Sequence, residues 1–336
     1  MLRKEGCREV SLFLFLNWEE KRYLCVNLNV SIHYHTMKRM MFILAACAVA
    51  MLQSCGGTPA ETYSEKKVVE DGGSGPYKAI MVTEPSLDAH TIFRPEDLSP
   101  FGKKNPLPIL VWGNGACTNS PWEHQNFLSE IASHGFFVVA TGYMPEEGKR
   151  NYGPQSTSAQ QIESVDWAIA VNADKESPYY NKLDVNAIAA AGMSCGGLQT
   201  LDNSAEPRFK TLMICNSGLF SNPAGAVPGM PMPDKEKLQD IKVPIMYLLG
   251  GETDIAYANG MDDFSRINHV PAFAANYPVG HGGTYGQLHG GEFSVVALAW
   301  LQWQLQGDKE AAKMFEGNPC GVAQREGWTA EKKNID

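Results

Sequence analysis

The sequence predicts an α/β fold, a mostly parallel central sheet with helices on both faces. Three observations carry this. Short apolar runs with strand character alternate with segments of helical period over about residues 76–306. A chain of 336 residues that is 44% hydrophobic can bury a large core, and the α/β class reaches this size undivided. One strand, Ala187–Ala191, runs into Gly192-Met193-Ser194-Cys195-Gly196 and then into the helix-compatible Gly197–Asp202.

In chain order, strands are expected near Lys78–Thr83 and Thr91–Arg94, then at Pro108–Trp112. A helix follows at about Trp122–Ser133, its apolar face carrying Phe127, Leu128, Ile131 and Ala132. Phe136–Ala140 is a short buried strand between Gly135 and Thr141-Gly142. Ser158–Ala173 reads as a helix, with Ile162, Val165, Ala168 and Ile169 at helical spacing. After the Ala187 strand come strands at Thr211–Cys215, Val243–Gly250 and Val270–Tyr277, the last of the sheet. Glu292–Gln306 closes the fold as an amphipathic helix. Only about 27 residues separate Cys215 from Val243, among them Pro223, Pro228, Pro231 and Pro233. That is too short for a sizeable helical cap, so the site should be open with a small Pro/Met-rich rim. Trp112, Trp122, Tyr143 and Tyr257 are aromatic residues that could line such a cleft or simply pack.

The pentapeptide 192–196 carries the chemistry. Glycines flanking the serine permit a turn tight enough to lift one hydroxyl clear of the sheet; a side chain at either would crowd the neighbouring strand or helix. A serine so placed needs an acid and a histidine after later strands. Asp254, in Gly251-Glu-Thr-Asp254 directly after the Val243 strand, is the acid; Glu252 is its nearest competitor, and a helix N-cap is its plain structural role. His281, flanked by glycines after the Val270 strand, has room to swing over Ser194; His289 is the rival base. His33, His35, His90, His124, His134 and His269 read as structural or solvated. A tetrahedral oxyanion needs two preorganised donors. One is the N–H of Cys195, and the other is assigned to the loop at Asn114 or Gly115, where small residues let backbone approach a carbonyl.

These pieces resemble the α/β-hydrolase superfamily, and within it the secreted, capless bacterial esterases of the cutinase and polyester-hydrolase kind. The matching stretches are Trp112–Gly115, Gly192–Gly197, Gly250–Asp254 and Gly280–Tyr285. The resemblance implies an ester hydrolase working through an acyl-enzyme. The chain departs from lipases in lacking His-Gly-Gly-Gly in the oxyanion loop, and it has Met193 where many relatives carry histidine or tyrosine.

The amino-terminal part reads as address rather than fold. Met37–Cys55 has a charged start, an apolar run and a small-residue exit, and Leu52-Gln-Ser-Cys55 resembles a bacterial lipoprotein box that would acylate Cys55; Leu44-Ala-Ala-Cys47 is the competing box. Residues 1–36 fit no targeting pattern and are expected to be a non-native upstream extension, with Met37 the start. Residues 56–75 read as a flexible tether and 76–336 as the catalytic domain. The expected location is the cell envelope, with membrane contact through lipid alone.

The formal net charge is −9. Loss of residues 1–55, with 7 basic and 4 acidic side chains, would make it more acidic still. Such a balance excludes nucleic acid and anionic membrane as expected partners. No Walker loop, dinucleotide fingerprint or paired Cys-x-x-Cys occurs, so neither cofactor nor metal is implied. Cys117 follows the oxyanion loop and Cys195 the nucleophile; in an exported protein they would either oxidise into a clip across the oxyanion hole or stay buried thiols. Cys215 reads as a small buried hydrophobe. The expected function is hydrolysis of carboxylic esters, small, bulky or polymeric. A serine peptidase and a non-catalytic surface binding protein are the alternatives, and chain pairing is not readable.

Overall fold

In the computed structural model, which describes residues 65–146, 153–221 and 229–336, the apolar runs become strands of one sheet. They are β1 Lys66–Lys67, β2 Ala79–Glu84, β3 Leu87–Pro95, β4 Leu107–Gly113, β5 Phe137–Thr141, β6 Leu183–Met193, β7 Phe209–Cys215, β8 Ile245–Leu249, β9 Ala272–Asn276 and β10 Thr329–Lys333. Their order is β1-β2-β3-β5-β4-β6-β7-β8-β9-β10. The run from β5 through β9 is parallel, while β1, β2, β3 and β10 pair antiparallel at the two ends.

Alternation along the parallel strands sorts the core into two layers. Leu110, Trp112, Ala189, Ala191, Met213, Met246 and Phe273 face one side. There they meet helices α1 (Gln125–Ser133) and α5 (Gly291–Leu301) through Phe127, Ile131, Phe293 and Trp300. Ile109, Val111, Ile188, Ala190, Ile214, Ile245 and Tyr247 face the other, against α2 (Ser158–Ala173), α3 (Cys195–Asp202) and α4 (Tyr257–Arg266). Every residue of β4 is buried, as a strand covered on both faces requires. Each fully buried Val, Leu or Ile contributes roughly 1.5–3 kcal/mol. Helix α2 starts where the sequence predicts because Thr157 and Gln160 form a capping box.

Three elements differ from expectation. The sheet does not end at β9: β10, a polar edge strand, pairs with it from Thr329↔Asn276 to Lys333↔Ala272. The closing helix stops at Leu301, passes through a wider turn at Gln302–Gln306, and is followed by the short helix α6 (Lys309–Ala312). Helix α5 is also more deeply embedded than an amphipathic surface helix, with seven of its residues buried. Finally, the described end of the expected tether, residues 65–75, belongs to the folded body. Lys66 and Lys67 pair with β2, Val69 is buried, and Glu130 accepts hydrogen bonds from the Ser74 N–H and hydroxyl. The upstream extension, the signal segment with Cys55, and Pro223 and Pro228 lie outside the described residues. Within them, the β7–β8 connection holds a single 3-10 turn, Lys235–Asp240, and no cap.

Candidate active site

The carboxyl ends of β4, β6, β7, β8 and β9 lie side by side, and each hands over to a loop that contributes to one site. Between β6 and α3, Ser194 adopts φ 53°, ψ −112°, a sparsely populated conformation that turns its side chain off the sheet. Its backbone is pinned on both sides: its N–H donates to the Cys215 carbonyl (2.9 Å), and its carbonyl accepts from the Ser217 hydroxyl (2.7 Å). The flanking glycines are obligatory. A Cβ on Gly196 would lie 2.0 Å from the Gly113 carbonyl oxygen, and one on Gly192 would lie 2.3 Å from the Gly196 carbonyl carbon.

His281 Nε2 is 3.1 Å from Ser194 Oγ, and His281 Nδ1 is 2.6 Å from Asp254 Oδ1. Asp254 is buried, whereas the imidazole keeps about a quarter of its surface exposed (27%) and so stays accessible from outside. Asp254 also accepts from the N–H groups of Ala256 (2.9 Å) and Gly250 (3.1 Å) and from Asn216 Nδ2 (2.7 Å). Burial alone would raise its carboxyl pKa, but the hydrogen bond from His281 and these donors outweigh it and hold the group below its ordinary value. The acid is therefore ionised and committed to His281. Its bond to Ala256 N–H braces the turn before α4, whose N-cap is Ala256 and carries no side-chain cap, so Asp254 is not the helix cap that was its plain structural alternative.

Cys195, the first residue of α3, presents its N–H at a helix start, where backbone donors lack helical partners. The Asn114–Ala116 segment sits beside it, since the Asn114 carbonyl accepts from Gly196 N–H (3.0 Å). Asn114 Nδ2 is consumed in holding that loop, donating to the carbonyls of Thr141 (2.6 Å) and Thr118 (3.0 Å), so the donors left there for an oxyanion are backbone N–H groups. Cys117 and Cys195 are joined by a disulfide with Cα atoms 5.2 Å apart. It ties loop to elbow across a segment in which Ala116 and Cys117 both adopt left-handed φ.

Two clefts flank the serine. A pocket of about 280 Å³ is walled by Leu198, Phe220, Met230, Ile255 and Ala256, with Ser194 and His281 at its edge. A wider one of about 460 Å³ is bordered by Trp122, His124, Met193, Gly282 and Tyr285. Of the four aromatic residues that could line the cleft or simply pack, one borders a cleft. Trp112 is fully buried, Tyr257 packs on the core, and neither they nor Tyr143 borders either cleft; Trp122 alone does. His124, structural as expected, is buried against Trp112 and Tyr285, and burial depresses its pKa to about 3. His289 bonds Asp71 (2.9 Å), away from Ser194. Among the described residues, no three or more His, Cys, Asp or Glu side chains cluster as a metal site.

Asn216, Phe220 and Ile255 were not legible as site residues, whereas Met230 belongs to the Pro/Met-rich rim expected between Cys215 and Val243. Asn216 carried one signal: it is the first residue past a central parallel strand, beside the elbow. A family model described as PETase, PET hydrolase-like, matches residues 119–320, a span that holds Ser194, Asp254 and His281 but begins after the oxyanion loop. No curated protein matches the chain.

Proposed function

The chain belongs to the PET hydrolase-like family, ester hydrolases on the α/β-hydrolase fold, and on that premise we propose an exported serine esterase with Ser194, His281 and Asp254 as its triad. One observation carries this reading: the continuous series Ser194 Oγ, His281 Nε2, His281 Nδ1, Asp254 Oδ1 at 3.1 and 2.6 Å, beside an apolar pocket. Ser194 Oγ attacks the acyl carbon while His281 Nε2 takes its proton; Asp254 holds the ring's tautomer and stabilises the imidazolium. The oxyanion is held by the Cys195 N–H and a backbone donor of the Asn114–Gly115 loop, with the Cys117–Cys195 bridge keeping the two in register. His281 then returns its proton to the leaving alcohol. Water, activated by the same histidine, cleaves the acyl-enzyme.

The substrate class is a carboxylic ester with an apolar or aromatic acyl part, polymeric esters included. The uncapped site and the Phe220, Met230 and Ile255 wall support it, as does the family. Export is supported by the Met37–Cys55 pattern and by a disulfide, which persists in oxidising compartments. Acylation at Cys55 would leave the catalytic domain on the envelope; intact mass of membrane-extracted protein should show a lipidated Cys55 as first residue.

The deciding experiment is hydrolysis of nitrophenyl acetate, butyrate and octanoate, methyl ferulate, an aromatic polyester film and a peptide nitroanilide, beside Ser194→Ala. Ester turnover that vanishes in the variant supports the reading. Turnover of the peptide alone would replace it with a peptidase. Silence on all six, with no labelling by a fluorophosphonate, would leave a binding protein on a hydrolase scaffold.

A further inference from the structure

Asn216 is an unusual residue to find at the centre of this site. It is fully buried, sits one residue past β7, and adopts φ 43°, a left-handed conformation that a side chain tolerates at a cost. Its backbone N–H is anchored to the Leu248 carbonyl at 2.8 Å, on the neighbouring strand β8. Its side-chain amide is then fully engaged. Nδ2 donates to Asp254 Oδ2 at 2.7 Å and to the Gly280 carbonyl at 3.2 Å, and Oδ1 accepts the hydroxyl proton of Tyr285. One amide therefore joins three loops: its own, the acid's after β8, and the histidine's after β9.

The orientation of that amide is determined by its partners. Turned over, Oδ1 would face a carboxylate and a carbonyl, acceptor against acceptor, while the Tyr285 hydroxyl would lose its acceptor in a buried site. Tyr285 is itself locked among the rings of Trp112, His124, Phe127 and Phe293, and burial holds its hydroxyl protonated. With Asn216 in place, each carboxylate oxygen of Asp254 has two donors: His281 and Ala256 on Oδ1, Asn216 and Gly250 on Oδ2.

We propose that Asn216, oriented by Tyr285, is a positioning residue of the hydrolytic reaction: it holds the acid and histidine loops in register and sets how strongly Asp254 draws the His281 proton. The inference rests on the triad reading above and extends it by two residues. A carboxylate with four donors is a weaker base than one with three. Removing the Asn216 donor concentrates charge on Asp254 and tightens its hold on the Nδ1–H of His281. The other titratable groups packed here are Tyr285, Cys215 and, against the Tyr285 ring, His124; burial raises the pKa of the first two and lowers that of His124 to about 3, so all three remain neutral across the working range.

The test is the pH dependence of kcat/KM for a soluble nitrophenyl ester in the full chain, with the variants Asn216→Asp and Tyr285→Phe. The aspartate is isosteric but donates to Asp254 only while protonated. Its expected profile has the acidic limb moved up by at least about half a pH unit, with kcat lowered about 10- to 100-fold and KM within about threefold of wild type. Tyr285→Phe frees the amide to turn and should move the limb in the same direction by less. Acidic limbs superimposable on wild type in both variants, with any loss confined to melting temperature or KM, would overturn the proposal and leave Asn216 a structural residue. If Asn216→Asp does not fold, the Tyr285→Phe profile decides. Failure of the triad reading is separable, because it would appear as activity retained in Ser194→Ala or as a wild-type chain that no fluorophosphonate labels.

Discussion

Both halves of the site carry a backbone lock, Gly196 on Gly113 and Gly250 on Gly280, but only the Ser194 half adds a covalent bridge and only the Asp254–His281 half gathers four hydrogen bonds on one carboxylate. On the nucleophile side, Gly196 lies against Gly113, the Asn114 carbonyl accepts from Gly196, and Cys117 is bonded to Cys195. No proton moves in any of these. On the acid side, Asp254 is surrounded by four donors, one of them the His281 imidazole, the group proposed to exchange protons in turnover. The difference teaches that a covalent tie suits a loop that only has to keep its geometry. A group that has to change charge needs partners that respond to charge.

Four changes break or sharpen this contrast. The largest effect is expected from Asp254→Asn, which keeps the shape but offers His281 the wrong tautomer; kcat should fall about 10⁴-fold with the melting temperature little changed. Next, reducing the bridge, or replacing both Cys117 and Cys195 with Ser, releases a closure 78 residues apart in sequence. Chain entropy assigns that about 4 kcal/mol. The unfolding midpoint should drop, and kcat should fall with KM held, since a loosened oxyanion loop weakens transition-state contacts alone. Thiol titration of the denatured, unreduced domain should count Cys215 and Cys320 and neither bridge partner.

Gly196→Ala tests the steric lock, because the new methyl would meet the backbone of β4 rather than a movable side chain. A loss of about 3 kcal/mol or more in urea unfolding is expected, and an unaffected midpoint would refute the lock. The fourth, His124→Phe, looks for pH dependence in a buried ring that packs on Trp112 and Tyr285. The pKa of His124 is lower folded than unfolded, about 3 against 6.5. Its neutral form therefore contributes stability fully above pH 6.5, and that contribution is lost as pH falls from 6.5 towards 3. The variant should show a shallower acid loss in melting temperature over that window, and an unchanged slope would assign the acid sensitivity elsewhere.

Legibility followed the range of the interaction. Ser194, Asp254 and His281 could be read because each stands in a local pattern, a strand end followed by small residues, that the chain carries within about ten positions. Cys117 and Cys195 could be paired only as one of two options, since their approach depends on β4 lying beside β6. Trp112 was open to both cleft and core, and the alternation along β4 turned its ring into the layer shared with Phe127 and Tyr285. β10 escaped notice because Thr329–Lys333 is polar and short, an edge strand defined by its partner rather than by its own pattern.

By itself the sequence determined the α/β class, the strand-elbow-helix, and the placing of Ser194, Asp254 and His281, in that order, just past three strands. These rest on periodicity and on glycine's conformational freedom, which are properties of a few adjacent residues. The tertiary structure alone decided that Asn216 would stand between Asp254, Gly280 and Tyr285, and that Phe220, Met230 and Ile255 would wall the pocket. Strand order and loop packing bring those residues together from positions up to 69 apart in the chain, and no local pattern carries that distance.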